Sequence, residues 1–123
     1  MQDYNIIEKT FKFSVSMIEL YVLLLKNEEF EISEKILKSG LLIRDKAQEA
    51  CSALSIQEKH AYLIEAYHNA VQVRYWLKML QMKYLVNHGC DDCVEKINEI
   101  INIMNVLNRK YGQFNINLQY QLN

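Results

Sequence analysis

The chain has 123 residues, half of them hydrophobic and about a quarter charged, with three glycines and no proline. That length suits one domain, and that composition argues against both a disordered chain and an all-β sandwich, whose turns need breaking residues every few positions. A formal net charge of −1 argues against a nucleic-acid binder driven by bulk charge, although a local basic face remains open.

The first predicted helix covers about residues 4 to 27. Tyr4, Ile7, Phe11, Val15, Ile18, Val22 and Leu25 recur at steps of three and four and line one face. Ile6, Phe13, Met17, Leu20 and Leu24 form a second apolar set. The string "KNEEFEIS" reads as the break. The second helix covers about residues 31 to 54, with Ile32, Ile36, Gly40, Ile43, Ala47, Ala50 and Leu54 as its stripe. Glu31 with Lys35 and Glu34 with Lys38 stand four apart in the favourable order. Gly40 falls on the packing stripe. There it costs about 1 kcal/mol relative to alanine, unless a second helix needs the space.

Ser55 followed by Glu58 is a capping-box pattern, so the third helix starts there and continues to about residue 87. Leu63, Ala66, Ala70, Val73, Leu77, Leu80 and Tyr84 make a heptad-like seam. Ile64, Val71, Tyr75, Met82 and Val86 make another row on a different face. Gly89 is placed to stop this helix. The fourth helix starts at Asp92 and runs to about Lys110, with Val94, Ile97, Ile101 and Met104 as its stripe, widened by Ile100 and Leu107. Gly112 is its expected end, and the amide-rich tail "QFNINLQYQLN" reads as disordered or as a docked extended segment.

The expectation is an all-α, up-down-up-down four-helix bundle over residues 1–110 with a tail at 111–123. The surplus apolar rows on the first and third helices argue for self-association, because large contiguous apolar patches are rare on monomers. A thicker core with unusual helix orientations is the alternative. Expected interface residues are Leu41, Ile64, Val71, Tyr75 and Met82. No apolar run reaches membrane-span length, the N-terminus lacks a signal-peptide pattern, and three cysteines suit a reducing compartment, so a cytoplasmic location is expected.

The most site-like string is "HGCDDC", residues 88–93, with Cys90 and Cys93 as a C-x-x-C pair. A zinc site needs four ligands and no second pair exists. A helix start, in which aspartates favour the dipole and cysteines pack, is the favoured reading, with a metal held by Cys90 and Cys93 as the weak alternative. "EAYH", Glu65 to His68, occurs once, whereas a di-iron bundle needs that motif twice. No nucleophile, Walker or dinucleotide motif is present. The expectation is therefore no enzyme, no cofactor and no resident metal. Basic residues interleaved with aromatics could bind phosphates and bases. The candidates are Lys35, Lys38, Arg44 and Lys46 on the second helix and Arg74, Lys78 and Lys83 on the third. A solvated charged face is the competing reading.

Two strings carry a family resemblance. "SGLLIRDKAQEA" matches the second-helix string Ser-Gly-Thr-Ser-Ile-Gly-Ala-Asn-x-x-Glu-Ala at Ser39, Gly40, Ile43, Glu49 and Ala50. "YWLKML" matches a third-helix ending Tyr-Trp-Leu-x-x-Leu at Tyr75, Trp76, Leu77 and Leu80. On these the chain resembles the bacterial four-helix-bundle proteins encoded in intervening sequences of large-subunit ribosomal RNA genes. Those are similar in turn to the accessory protein of diversity-generating retroelements. The resemblance implies a ring-like homopentamer that binds RNA or DNA, or a protein such as a reverse transcriptase. The chain departs from the pattern at Leu41-Leu42 and at Arg44-Asp45-Lys46. A protein-interaction scaffold without nucleic-acid binding is the alternative.

Overall fold

A computed structural model describes the backbone of residues 2–83 and 89–122 and the side chains of residues 5–83 and 89–113. It contains four helices and, among the described residues, no strand: α1 (Gln2–Lys26), α2 (Phe30–Ser52), α3 (Ile56–Lys83) and α4 (Cys90–Leu122). Each helix packs on its chain neighbours, and α4 returns to close on α1, so α1 and α3 stand diagonally apart. Cross-links at matching levels make neighbouring helices antiparallel. Glu29 pairs with Lys83 and Lys46 with Glu65 between α2 and α3, while Arg74 donates to Asn98 and Gln81 to Asp91 between α3 and α4. The expected up-down-up-down bundle is the observed one.

The helix ends follow from local chemistry. Glu28 adopts a left-handed φ of 60°, and the Glu29 N–H then bonds back to the Leu24 carbonyl at 2.9 Å, ending α1. At the α2–α3 turn, Ser55 Oγ accepts from the Glu58 N–H at 3.1 Å, as the capping pattern predicts. Lys59 Nζ donates to the Ala50 and Cys51 carbonyls at 3.1 and 3.2 Å. A cation there complements the negative end of the α2 dipole, beside the Ala53 N–H that also donates to the Ala50 carbonyl. Gly89, with φ of 88°, precedes α4, whose first turn carries Asp91 and Asp92.

Two expectations about helix ends are corrected. Leu54, read as the last residue of the α2 stripe, lies beyond the helix and is 99% exposed. The segment from residue 111, read as non-helical, continues α4 to Leu122. Gly112 keeps a negative φ and packs beside the His60 ring, and with no proline in the chain nothing stops the helix there. Tyr84, Val86 and His88 lie outside the described residues, and so does the side chain of Tyr4.

The core stripes of α2, α3 and α4 are those the periodicity predicts. Ile36, Gly40, Ile43, Ala47 and Ala50 meet Leu63, Ala66, Ala70, Val73, Leu77 and Leu80, with Ile97, Ile100, Ile101, Met104 and Leu107 across from them. Gly40 is a packing notch. A Cβ built there would stand 2.6 Å from Met17 Cγ and 3.3 Å from Met17 Cβ, and Met17 is fully buried.

Gly40→Ala should therefore destabilise the bundle by about 1–2 kcal/mol, the overpacking exceeding the helix-propensity gain. Gly112→Ala, whose Cβ would reach the His60 ring at an ordinary 3.4 Å, should be neutral or stabilising by up to ~1 kcal/mol. Urea denaturation of the two variants reads the contrast.

Candidate interaction surfaces

α1 carries two apolar faces, and only one enters the core. The inward face is Ile6, Phe13, Met17, Leu20 and Leu24, all buried. Its remaining positions are Thr10, Ser14 and Ser16, whose hydroxyls are satisfied by carbonyls of the preceding turn. The other face is left outside. Ile7, Phe11, Val15, Ile18 and Val22 are each 37 to 53% exposed and follow one another at steps of three and four. The guanidinium of Arg44 lies over the Phe11 ring, 5.6 Å from its centroid, on the α2 side of this stripe. Five large side chains in an unbroken line form one continuous apolar face, unlike the scattered apolar residues of an ordinary surface.

α3 presents a second such row. Ile64 and Val71 are half-buried, Tyr75 and Met82 are exposed, and Met79 extends the patch. Leu41, on α2, is half-buried and stands apart from this row. The α3 row and the α1 stripe point away from the bundle at opposite corners, because α1 and α3 do not touch. The interface residues picked from sequence thus capture the α3 face. They omit Ile7, Phe11, Val15, Ile18 and Val22, although the three-and-four spacing of those five was visible. They omit Met79 as well.

The seven basic candidates do not converge on one patch. Lys46 faces α3, held by Glu65 at 3.2 Å and Glu49 at 3.5 Å, and the Glu65 hydrogen bond holds its ammonium above the usual lysine range. Lys83 is bonded to Glu29, Arg74 to Asn98, and Lys35 approaches Glu31 at 3.7 Å. Arg44 lies between Asp45 and the Phe11 ring. Lys38 and Lys78 are exposed and have no ion-pair partner among the described residues. Lys35 and Lys38 project from the outer side of α2, and Lys78 from the edge of the α3 row nearest α4.

Cys90 and Cys93 are buried at the start of α4. Burial pushes both thiols up, Cys93 to about 12, and neighbouring acidic groups add to it. Thiols held neutral are poor metal ligands and poor nucleophiles. Among the described residues no three His, Cys, Asp or Glu side chains converge as a metal site would need. No helix among them is long and apolar enough to cross a membrane.

Comparison with known proteins agrees with the intervening-sequence part of the resemblance. The family model of the 23S rRNA-intervening sequence protein matches residues 2–106. Among solved structures, the chain is similar to a protein of unknown function from the S23 ribosomal protein family of Bacteroides thetaiotaomicron. The identity is 25% and the TM-score 0.81, over 89% of this chain and 99% of that one. No curated protein matches.

The raised cysteines set an alkaline dependence. In the unfolded chain these thiols ionise near their ordinary value of 9.0, whereas in the fold they stay protonated. The folded state then binds more protons, so stability falls as pH rises above about 9. Cys93→Ala should flatten the fall in urea midpoint between pH 8.5 and 10 relative to the wild type. Below pH 8 the alkylation of Cys90 and Cys93 should require unfolding.

Proposed function

The chain belongs to the 23S rRNA-intervening sequence protein family, and from that premise we propose that it is a non-enzymatic, self-associating helical bundle. In this reading it serves as an accessory or adaptor to nucleic acid, or to a protein that handles nucleic acid such as a reverse transcriptase. The observation that carries it is the pair of outward apolar rows, Ile7 to Val22 on α1 and Ile64 to Met82 on α3. A monomer gains nothing from exposing both. The resemblance to retroelement accessory proteins points to a ring-like homopentamer working in the cytoplasm.

Nucleic-acid contact in this reading comes from repetition. Among the seven candidates, Lys35 and Lys38 form a small basic group on the outer side of α2, diluted by Glu31 and Glu34. A closed assembly repeats that group around its circumference. Weak contacts on one strand then combine through effective concentration. The alternative reading is a protein-interaction scaffold with no direct nucleic-acid binding. What favours it is the pairing of Lys35, Lys46 and Lys83 with carboxylates and the net charge of −1.

Fluorescence polarisation with a labelled single-stranded RNA separates the two. The adaptor reading expects binding at low salt that weakens steeply as salt rises, because neutralised phosphates release counterions. Lys35→Glu/Lys38→Glu should reduce both the affinity and the salt slope. Absence of binding at low salt would leave the scaffold reading.

A further inference from the structure

The groove between α3 and α4 keeps one register along its length. Gln81 donates to Asp91 at 2.6 Å, Arg74 donates to Asn98 at 3.2 Å, and Gly112 lies beside the His60 ring. From one contact to the next the two helices advance by equal numbers of residues in opposite directions, one heptad and then two. That register sets half-buried Tyr67 level with Asn105. Asn98, Asn102, Asn105 and Arg109 follow one another at steps of four, three and four, so they share the face of α4 that borders the groove. Asn102, Asn105 and Arg109 are exposed.

The charge along this groove is one-sided. The chain has 15 Asp and Glu, yet none stands between Glu65 and Asp91 or after Glu99. Glu65 is turned to Lys46 on α2, and Glu99 to Lys9 on α1. Arg109 has no ion-pair partner among the described residues. Arg74 meets an amide rather than a carboxylate, and a guanidinium has further N–H donors to offer. From the Arg74–Asn98 pair to the His60–Gly112 pair the groove runs for two heptads, about 21 Å. Over that length it carries two guanidinium groups and three amides with no carboxylate among the described residues. Asp91 and Glu95 lie beyond its Arg74 end.

We propose that this strip is a groove for a single-stranded nucleic acid, with Arg74 and Arg109 on phosphates and Asn102 and Asn105 on base edges. It rests on the nucleic-acid reading above and gives that reading a second site, apart from Lys35 and Lys38. The planar guanidinium fork matches phosphate oxygens. An amide sets a donor beside an acceptor, which is the pattern of a base edge. A single strand displays those edges, whereas an A-form duplex hides them in a deep, narrow groove. A strip that held polyanions by charge alone would gain from lysines where these amides stand.

Fluorescence polarisation on the full chain, across a salt series, tests the groove. The probes are a labelled single-stranded RNA, the single-stranded DNA of the same sequence and the RNA duplex. Whichever single strand binds tighter identifies the source of the ligand. Arg74→Gln/Arg109→Gln should reduce the salt slope by about 1.4, two phosphate contacts at about 0.7 each. Arg109→Gln alone, at an exposed position, should reduce it by about 0.7. That single variant keeps the test sound if circular dichroism shows that the Arg74 change disturbs the fold. Asn102→Ala/Asn105→Ala should weaken binding severalfold and leave the slope unchanged. Wild-type affinity and slope in all these variants, beside lost binding in Lys35→Glu/Lys38→Glu, would overturn the groove and leave the adaptor reading standing. A duplex bound as tightly as either single strand would also overturn it. No binding of any probe at low salt would remove both.

Discussion

The packing of Met17 into the notch at Gly40 sets how α1 is rotated, and most of what distinguishes this bundle follows from that rotation. A side chain at position 40 would collide with the buried Met17. Without one, α1 approaches α2 with the Phe13, Met17, Leu20 and Leu24 face inward. Hydrophobicity alone does not choose that face. It carries Thr10, Ser14 and Ser16, whose hydroxyls must be satisfied by the helix's own carbonyls. The opposite face carries Ile7, Phe11, Val15, Ile18 and Val22 and is the more uniformly apolar of the two. The bundle keeps its more polar apolar face inside and presents the cleaner one to the outside. That arrangement is intelligible if the outer face has a partner, since desolvating it elsewhere supplies the stabilisation the monomer forgoes.

Much of this was legible in the sequence. Stripes with three-and-four spacing on α2, α3 and α4 named the core, and Ser55 with Glu58 named the start of α3. Gly40 lay on a stripe that continued through it, which marked a notch rather than a break. The rotation of α1 was not legible. Two apolar rows on one helix are symmetric to a periodicity argument, and the close approach of positions 17 and 40 leaves no mark in the spacing of α1. The reach of α4 was missed for a related reason. Gly112 and an amide-rich tail look like an ending, but glycine is only a weak breaker when its φ stays negative.

The candidate site was legible only as a set of residue types. Seven basic side chains looked like a phosphate-binding population, yet α2 and α3 distribute them over several sides of the bundle. Carboxylates that are distant in sequence hold several of them: Glu65 takes Lys46 and Glu29 takes Lys83. Such long-range pairings leave no local signature. The cysteine pair shows the same limit in the other direction. C-x-x-C suggests chemistry by spacing, and burial of both thiols at the start of α4 answers with packing.

The central claim is that the outer faces of α1 and α3 are covered by other copies of the chain in solution. Hydroxyl-radical footprinting at two protein concentrations tests it residue by residue. The account predicts that Phe11, Tyr75, Met79 and Met82 are shielded at high concentration and become oxidised on dilution, while buried Met17 and Met104 stay shielded at both. Equal, rapid oxidation of Phe11 and Tyr75 at every concentration would contradict it.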